Sequence, residues 1–521
     1  MASKELFLQA VQQGYTFKGE SFRLGVGMFD KQVVQGAEVL LPLKTMNRHG
    51  LIAGATGTGK TKTLQVIAEG LSDASIPVVL MDIKGDLSGI AAAGASNSKI
   101  EERIQLMGGE YKPAAFPVEL MTLSDDGKGV RLRATVSEFG PILLSKILGL
   151  NDTQQGIVAM IFKFCDDNKM PLLDLKDFIK IIQYISDEGK STIEKDYGKI
   201  STSSTGTILR KVIELQQQGA DAFFGEPSFE VDDLMRISDD GRGMISILRV
   251  MELQDRPKLF STFMLSLLAE LYATLPEEGD MDKPKLVLFI DEAHLVFQEA
   301  NEALLQQIET VIKLIRSKGV GIFFCTQNPQ DVPASVLSQL GLKVQHALRA
   351  FTAADRKVIK QAAENYPETE YYDVDELLTQ LGIGEAFVTL LNEKGIPTPL
   401  VHTMLVAPRS RMDVLTDAEV DTLVAKSKLV KKYAETIDSE SAHEIITAKL
   451  EEAAEKTKAG EESKAEEKEE KKRPAKKEET FFDNPTVKQV GRTAASIITR
   501  SLLGALGLGG RTTRKKKTGW F

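Results

Sequence analysis

"RHGLIAGATGTGKT", residues 48–61, decides the fold. Its second half, "GATGTGKT" from Gly54 to Thr61, meets the pattern G-x-x-x-x-G-K-[ST] at every fixed position. The apolar run Leu51-Ile52-Ala53 leads in as a strand, and "TKTLQVIAEGL" leads out with helical periodicity. Strand, glycine loop and helix in that order form a phosphate-binding loop. Glycines let the backbone wrap close to phosphate oxygens, and successive N–H groups with the helix N-terminus favour an anion. Lys60 is placed to reach the β- and γ-phosphates, and the Thr61 hydroxyl to ligate Mg²⁺. The expected nucleotide-binding set is Gly54, Ala55, Thr56, Gly57, Thr58, Gly59, Lys60 and Thr61, with Thr63 in the helix that follows. ATP and Mg²⁺ are the expected cofactors.

Working outward, residues 48–90 read as strand, loop, helix, strand, ending in "VVLMD". Such β-α-β alternation argues for a parallel sheet covered by helices. The sheet pattern resumes with "KLVLFID" (285–291), "GVGIFFCT" (319–326), "KVQHALRA" (343–350) and "EAFVTLL" (385–391). Between the halves, residues 137–275 are mostly helical in period, with "GMISILRV" (243–250) as a strand. The expected fold is α/β: a RecA-like P-loop NTPase core with a mostly parallel sheet, a large helical insertion, a short N-terminal β segment and a charged C-terminal tail. The corresponding divisions are 1–45 for the β segment, 46–136 and 276–410 for the core, and 137–275 for the insertion. They continue with 411–450 for C-terminal helices, 451–484 for a linker and 485–521 for a tail.

The second half of the site follows from "KLVLFIDEAH". A buried strand ending in Asp291-Glu292 supplies a Mg²⁺ ligand, Asp291, and a carboxylate, Glu292, that polarises the attacking water. "FFCTQNPQDVP" (323–333) ends the next strand in Thr326-Gln327 before an Asn-Pro turn. The Gln327 amide carries a donor and an acceptor on one plane, so it can touch both a γ-phosphate and a water. The alternative is a glutamine that caps the turn. "EGKST" (188–192) also contains Gly-Lys-Ser-Thr, but the first glycine of the motif would fall at Tyr184, so Lys190 reads as a surface residue.

These residues resemble a known group. "RHGLIAGATGTGKT", "VVLMDIKGD", "FIDEAHLVF", "IRSKGVGIFFCTQNPQDVP" and "LGLKVQHALRAFT" are similar to the HerA/FtsK superfamily of P-loop ATPases, and within it to bacterial YjgR-type HerA-like proteins. The resemblance covers most of residues 20–410 and includes "LRATVSEFGPILLSKILGLNDTQ" (132–154). It implies a homo-oligomer, a hexameric ring with ATP bound between subunits. It also implies arginines that reach a γ-phosphate from a neighbour: Arg316, Arg48 and, more weakly matched, Arg349, each with a surface ion pair as the alternative. Asp82 matches the acidic residue that ends the strand beside the phosphate loop. HerA proper carries an N-terminal β-barrel that docks a nuclease. About 45 residues precede the loop region here, so at most a reduced version is expected.

Composition narrows the class. The 521 residues are 42% hydrophobic and 27% charged, which is globular, and the net charge of −9 does not announce a nucleic-acid binder. Cys165 and Cys325 both sit in apolar segments, as buried free thiols would. No signal-peptide core and no run of 18 apolar residues is found, and the expected location is cytoplasmic. After about residue 440 the chain is almost all Glu, Lys and Ala, too polar to bury a core. Beyond it, Val487, Val490, Ala494, Ile497, Ile498 and Leu502 recur at helical spacing before "RTTRKKK". That tail suits packing on the ring, an anionic membrane surface, a protein partner or DNA phosphate. Three functions share the one site: an ATP-driven DNA translocase or helicase, an ATPase that remodels or assembles proteins at a membrane or partner surface, and a nucleotide-gated binding protein.

Overall fold

The structure is a computed structural model that describes residues 3–455, apart from 125, 126, 280, 299, 301, 351, 435, 436 and 438. The linker beyond residue 455 and the tail at 485–521 lie outside the described residues. The described residues form two compact units, one within 1–133 and 227–436, the other within 134–226 and 437–455.

The first unit is built on twelve strands: β1 (Ser21–Phe29), β2 (Gln32–Pro42), β3 (Gly50–Ala53), β4 (Val78–Asp82), β5 (Val118–Thr122), β6 (Val130–Arg131), β7 (Ile245–Arg249), β8 (Leu286–Ile290), β9 (Val320–Thr326), β10 (Leu342–Gln345), β11 (Glu385–Thr389) and β12 (Val401–Leu405). They form one sheet in the order β2-β1-β12-β11-β10-β3-β9-β8-β4-β7-β5-β6. Every neighbouring pair from β10 to β6 is parallel, and every pair from β10 to β2 is antiparallel. All residues of β3, β4, β8 and β9 are buried. A strand covered on both faces must be apolar throughout, which is why these segments read as continuous runs rather than alternating ones.

Three features differ from the expected plan. First, a helix, α1 (Lys4–Gly14), precedes the N-terminal strands. It buries Phe7 and Val11. The Tyr15 hydroxyl that follows donates to the carbonyls of Val388 at 2.9 Å and Pro399 at 3.0 Å. The β1–β2 hairpin is therefore part of the main sheet, joined through β12. Second, the helical segment expected over 137–275 divides. Residues 134–226 belong to the second unit, whereas β7 and the helix at Pro257–Thr274 belong to the first. β7 lies between β4 and β5, so its backbone is paired on both sides within the sheet. Third, the strand expected over 343–350 stops at Gln345, because the chain then turns onto the phosphate loop.

The remaining helices of the first half are α2 (Lys60–Asp73) and α3 (Ser98–Met107). The second unit holds α4 (Val136–Ile147), α5 (Asp152–Asp167), α6 (Leu175–Ser186), α7 (Lys190–Tyr197) and α8 (Thr202–Gln217). Capping boxes at Thr135/Glu138, Asn151/Gln154 and Asp174/Asp177 start the first three of these helices. α4 kinks at Gly140-Pro141, where the backbone leaves the helical region. The Asp177 carboxylate also accepts hydrogen bonds from the Ser441 hydroxyl and the His443 N–H, which ties the later segment into this unit. Lys190 opens α7, is partly exposed, and no strand leads into it. Cys165 and Cys325 are both buried and free. No helix of the described residues is long and apolar enough to cross a membrane.

Candidate nucleotide-binding site

β3 delivers the phosphate loop at the C-terminal edge of the parallel strands. Gly54 has φ 152° and donates its N–H to the Thr326 carbonyl at 3.2 Å. A Cβ there would lie 2.5 Å from His346 Cβ, so glycine is required by space as well as by conformation. The Ala55 N–H donates to the Ala347 carbonyl at 2.8 Å. The Ala55 carbonyl in turn accepts from Thr58 Oγ1 at 2.7 Å and Lys60 Nζ at 3.2 Å, which closes the loop on itself. Thr56 and Gly57 are exposed at its tip, and Gly59 turns into α2 in the left-handed region. Lys60 is buried, and its ammonium is held below the usual lysine range by that burial first and by repulsion from Lys84 second.

Thr63 does not face the ligand side of this loop. Its hydroxyl meets His346 Nε2 at 2.9 Å and the Gly59 carbonyl at 3.2 Å, and the residue is 2% exposed. Thr63, expected among the nucleotide contacts, thus spends its hydroxyl within the protein.

The acidic pair follows β8. β9 lies between β3 and β8, with Ala53 opposite Thr326 and Ile290 opposite Phe324. Gln327 therefore stands between the phosphate loop and Asp291-Glu292 at one edge of the sheet. It is exposed and lines a cleft of about 490 Å³ with His294, Phe297, Asn328 and Asp331. The turn after β9 is closed by Asp331, whose Oδ2 accepts from Thr326 Oγ1 at 2.6 Å and from the Asn328 N–H at 3.1 Å. The capping duty that was the alternative for Gln327 is thus performed by another residue.

Glu292 is buried and has φ 47°, a left-handed conformation uncommon for a residue with a side chain. Its carboxylate is ion-paired with Lys84 Nζ and lies 3.2 Å from His294 Nδ1. Asp291 is 3% exposed, and desolvation pushes its carboxyl up to about 7, with Lys84 opposing the shift and Glu292 reinforcing it. Asp291 Oδ2 is buried and has no hydrogen-bond partner among the described residues. A buried orphaned carboxylate oxygen calls for a ligand, and a hard divalent cation with oxygen preference satisfies that chemistry. Thr61 is half-buried at the first turn of α2.

Asp82 acts on the site through a loop. Its carboxylate accepts the N–H groups of Gly85 at 2.7 Å, Asp86 at 3.1 Å and Leu87 at 3.1 Å. Those bonds shape the turn that presents Lys84 to Glu292. Burial raises the Asp82 carboxyl to about 6 in spite of them.

The arginines fall elsewhere. Arg48 precedes β3 and Arg316 precedes β9, whereas the phosphate loop and Gln327 follow those strands. Since β3 and β9 are parallel and in register, both arginines lie at the sheet edge opposite their own chain's phosphate loop. Arg316 is exposed and Arg48 half-buried. Arg349, just past β10, is on the phosphate-loop edge, where it donates to the Thr379 carbonyl at 3.1 Å.

Sequence reading passed over Lys84, His294, His346 and Gly384. Lys84 sits two residues after Asp82 in "VVLMDIKGD", a basic residue next to a strand end that carried the signal. His346 is fully buried, and desolvation and Lys60 lower its imidazole to about 4, so it is neutral where it supports Thr63. The Gly384 N–H donates to the Thr58 carbonyl at 3.1 Å.

A phosphate loop, a buried acidic pair two strands away and a polar residue between them define a P-loop NTPase core. The chain belongs to the family described as Helicase HerA-like C-terminal, whose model matches residues 29–514. It is similar to the DNA double-strand break repair helicase HerA of Sulfurisphaera tokodaii, 21% identical over 380 residues that cover 70% of this chain and 67% of that one. It is likewise similar to the protein of the same name from Saccharolobus solfataricus, 22% identical over 359 residues, covering 68% and 64%. The chain thus spans about two thirds of the length of these relatives. Among solved structures, the bacterial conjugative coupling protein TrwBdeltaN70 shares the fold, with a TM-score of 0.51 and 14% identity over 80% of this chain and 95% of that one.

Proposed function

We propose that this chain binds ATP with Mg²⁺, hydrolyses it, and uses the turnover to translocate or unwind DNA as a homo-oligomeric ring. The observation that carries the reading is the place of β9, which sets Gln327 between the phosphate loop and the acidic pair.

In this reading the loop N–H groups and Lys60 hold the phosphates. Thr61 and Asp291 would hold Mg²⁺, which would supply positive charge to offset that of the phosphates. Glu292 accepts a proton from water as the water oxygen attacks the γ-phosphorus and the bond to the bridging oxygen breaks. Lys84 and His294 orient the Glu292 carboxylate. Gln327 contacts both the γ-phosphate and the water through its amide.

Arg316 and Arg48 are too far along their strands to serve their own phosphate loop. A role for them requires a second subunit, and a hexamer with sites between subunits supplies one. Arginine suits that role through its permanent charge and its fork of donors. The DNA assignment draws support from relatives named as helicases.

The test is ATP turnover with and without single-stranded, duplex and forked DNA, measured alongside solution mass. Stimulation by DNA and a mass several times that of one chain are expected. Turnover unchanged by every DNA overturns the motor; no turnover overturns the ATPase.

A further inference from the structure

The loop from Leu381 to Gly384 leads into β11. β11 is antiparallel to β10, so it begins where β10 ends, at the phosphate-loop edge. The Gly384 N–H donates to the Thr58 carbonyl at 3.1 Å, and a Cβ on Gly59 would lie 3.4 Å from Gly384 N. The loop is held firmly in place. Arg103 of α3 donates to the carbonyls of Ile383 at 3.0 Å, Gly384 at 3.0 Å and Leu405 at 2.8 Å. The Gly382 N–H donates to Glu385 Oε2 at 3.0 Å, and that carboxylate also pairs with His402 Nε2 at 2.9 Å. On this fixed backbone the Ile383 side chain is 72% exposed, more than any other large apolar side chain among the described residues.

Sheet order gives the exposed isoleucine a ligand. The acidic pair stands two strands to one side of β3, while β10 and β11 lie on the other. A nucleotide whose γ-phosphate faces Asp291 and Glu292 must extend its ribose and base the opposite way, past Thr58 and Gly59 toward the loop before β11. We infer that Ile383 is the apolar shelf on which the nucleobase rests, a contact that rests on the ATPase reading above. A purine face removes water from the isoleucine and gains dispersion contact without any hydrogen bond. Because the contact is to the ring face and not its edge, adenine and guanine are served about equally.

The test compares the full-length wild type with Ile383→Ser and Ile383→Leu by calorimetric titration of ADP, GDP and inorganic tripolyphosphate, each with Mg²⁺. Ile383→Ser is expected to lose roughly tenfold in affinity for both nucleotides and nothing for tripolyphosphate, which has no base. Ile383→Leu stays within about twofold for all three. Equal losses for nucleotide and tripolyphosphate would overturn the shelf, and so would unchanged nucleotide affinity, with or without an altered solution mass. Wild type that binds tripolyphosphate but gains nothing from a base also overturns it. Wild type that binds none of the three overturns the underlying ATPase reading instead.

Discussion

The two ends of β3 and β9 are built on opposite rules. At the C-terminal end, Asp291 keeps a buried oxygen without a partner among the described residues, Glu292 holds a left-handed backbone, and Lys60 is buried. At the N-terminal end, His49 is equally buried, yet both ring nitrogens are used: Nε2 lies 2.9 Å from the Ile312 carbonyl and Nδ1 accepts the Ile322 N–H at 3.0 Å. One end leaves polar groups open at a cost in stability; the other closes them into a lock. Beside a phosphate loop, an open buried carboxylate oxygen suits a ligand, whereas the satisfied His49 ring suits a structural role. The lock matters for function because Arg48 adjoins it in sequence and the charge of Arg316 reaches the His49 imidazole.

The largest expected effect tests the open end. Glu292→Gln keeps the shape and burial but removes the base, so kcat should fall about a thousandfold while nucleotide affinity stays within a few-fold. A rate near wild type would break the open end as a site of chemistry. Next is the lock end. Arg316→Ala should reduce turnover about a hundredfold or more if the guanidinium completes a neighbour's site. Mixing that variant with Lys60→Ala should then restore activity, since each supplies what the other lacks at a shared interface. Mixed rings as inactive as either parent would remove Arg316 from the trans role.

The two ends were not equally legible in the sequence. The phosphate loop, Asp291-Glu292 and Gln327 are contiguous in short segments whose spacing reflects local chain geometry, and their strands are long apolar runs. Lys84 was hidden because its partner Glu292 arrives through the pairing of β4 with β8. His346 was hidden for the same reason: it reaches Thr63 only because β10 lies beside β3. That pairing also decides which way Thr63 points, which helical spacing cannot. α1 and β12 are short and weakly patterned, and the split of the helical segment depends on β7 pairing between β4 and β5 rather than on its own residues.

The lock also carries a pH signature. Desolvation lowers the His49 imidazole to about 4 from its ordinary 6.5. The unfolded chain then binds the extra proton first, so stability is fully present above 6.5 and is lost as pH falls toward 4. At pH 5 the loss is about 2 kcal/mol, or roughly thirtyfold in the folding equilibrium. Chemical denaturation at pH 7 and pH 5 measures it. His49→Gln should be less stable at pH 7, because a glutamine amide cannot span the same donor and acceptor, and should show a shallower slope between those values. An unchanged slope would mean that acid sensitivity arises elsewhere, such as from the buried His346.

The smallest effect is the sharpest test of the open end. Gln327 is exposed beside the cleft, and Asp331 already closes the turn. Gln327→Ala should therefore leave folding stability within about 0.5 kcal/mol, as at other exposed sites. It should also leave nucleotide affinity near wild type, because phosphate binding belongs to the loop and Lys60. Hydrolysis should fall about tenfold, the value of one positioned hydrogen bond in the transition state, with any DNA-dependent output falling in step. If instead the variant hydrolyses ATP at the wild-type rate, the amide touches neither γ-phosphate nor water. Nucleotide sensing would then have to pass through Lys84 and His294, the two groups already on Glu292, and Lys84→Met would become the variant that separates binding from turnover.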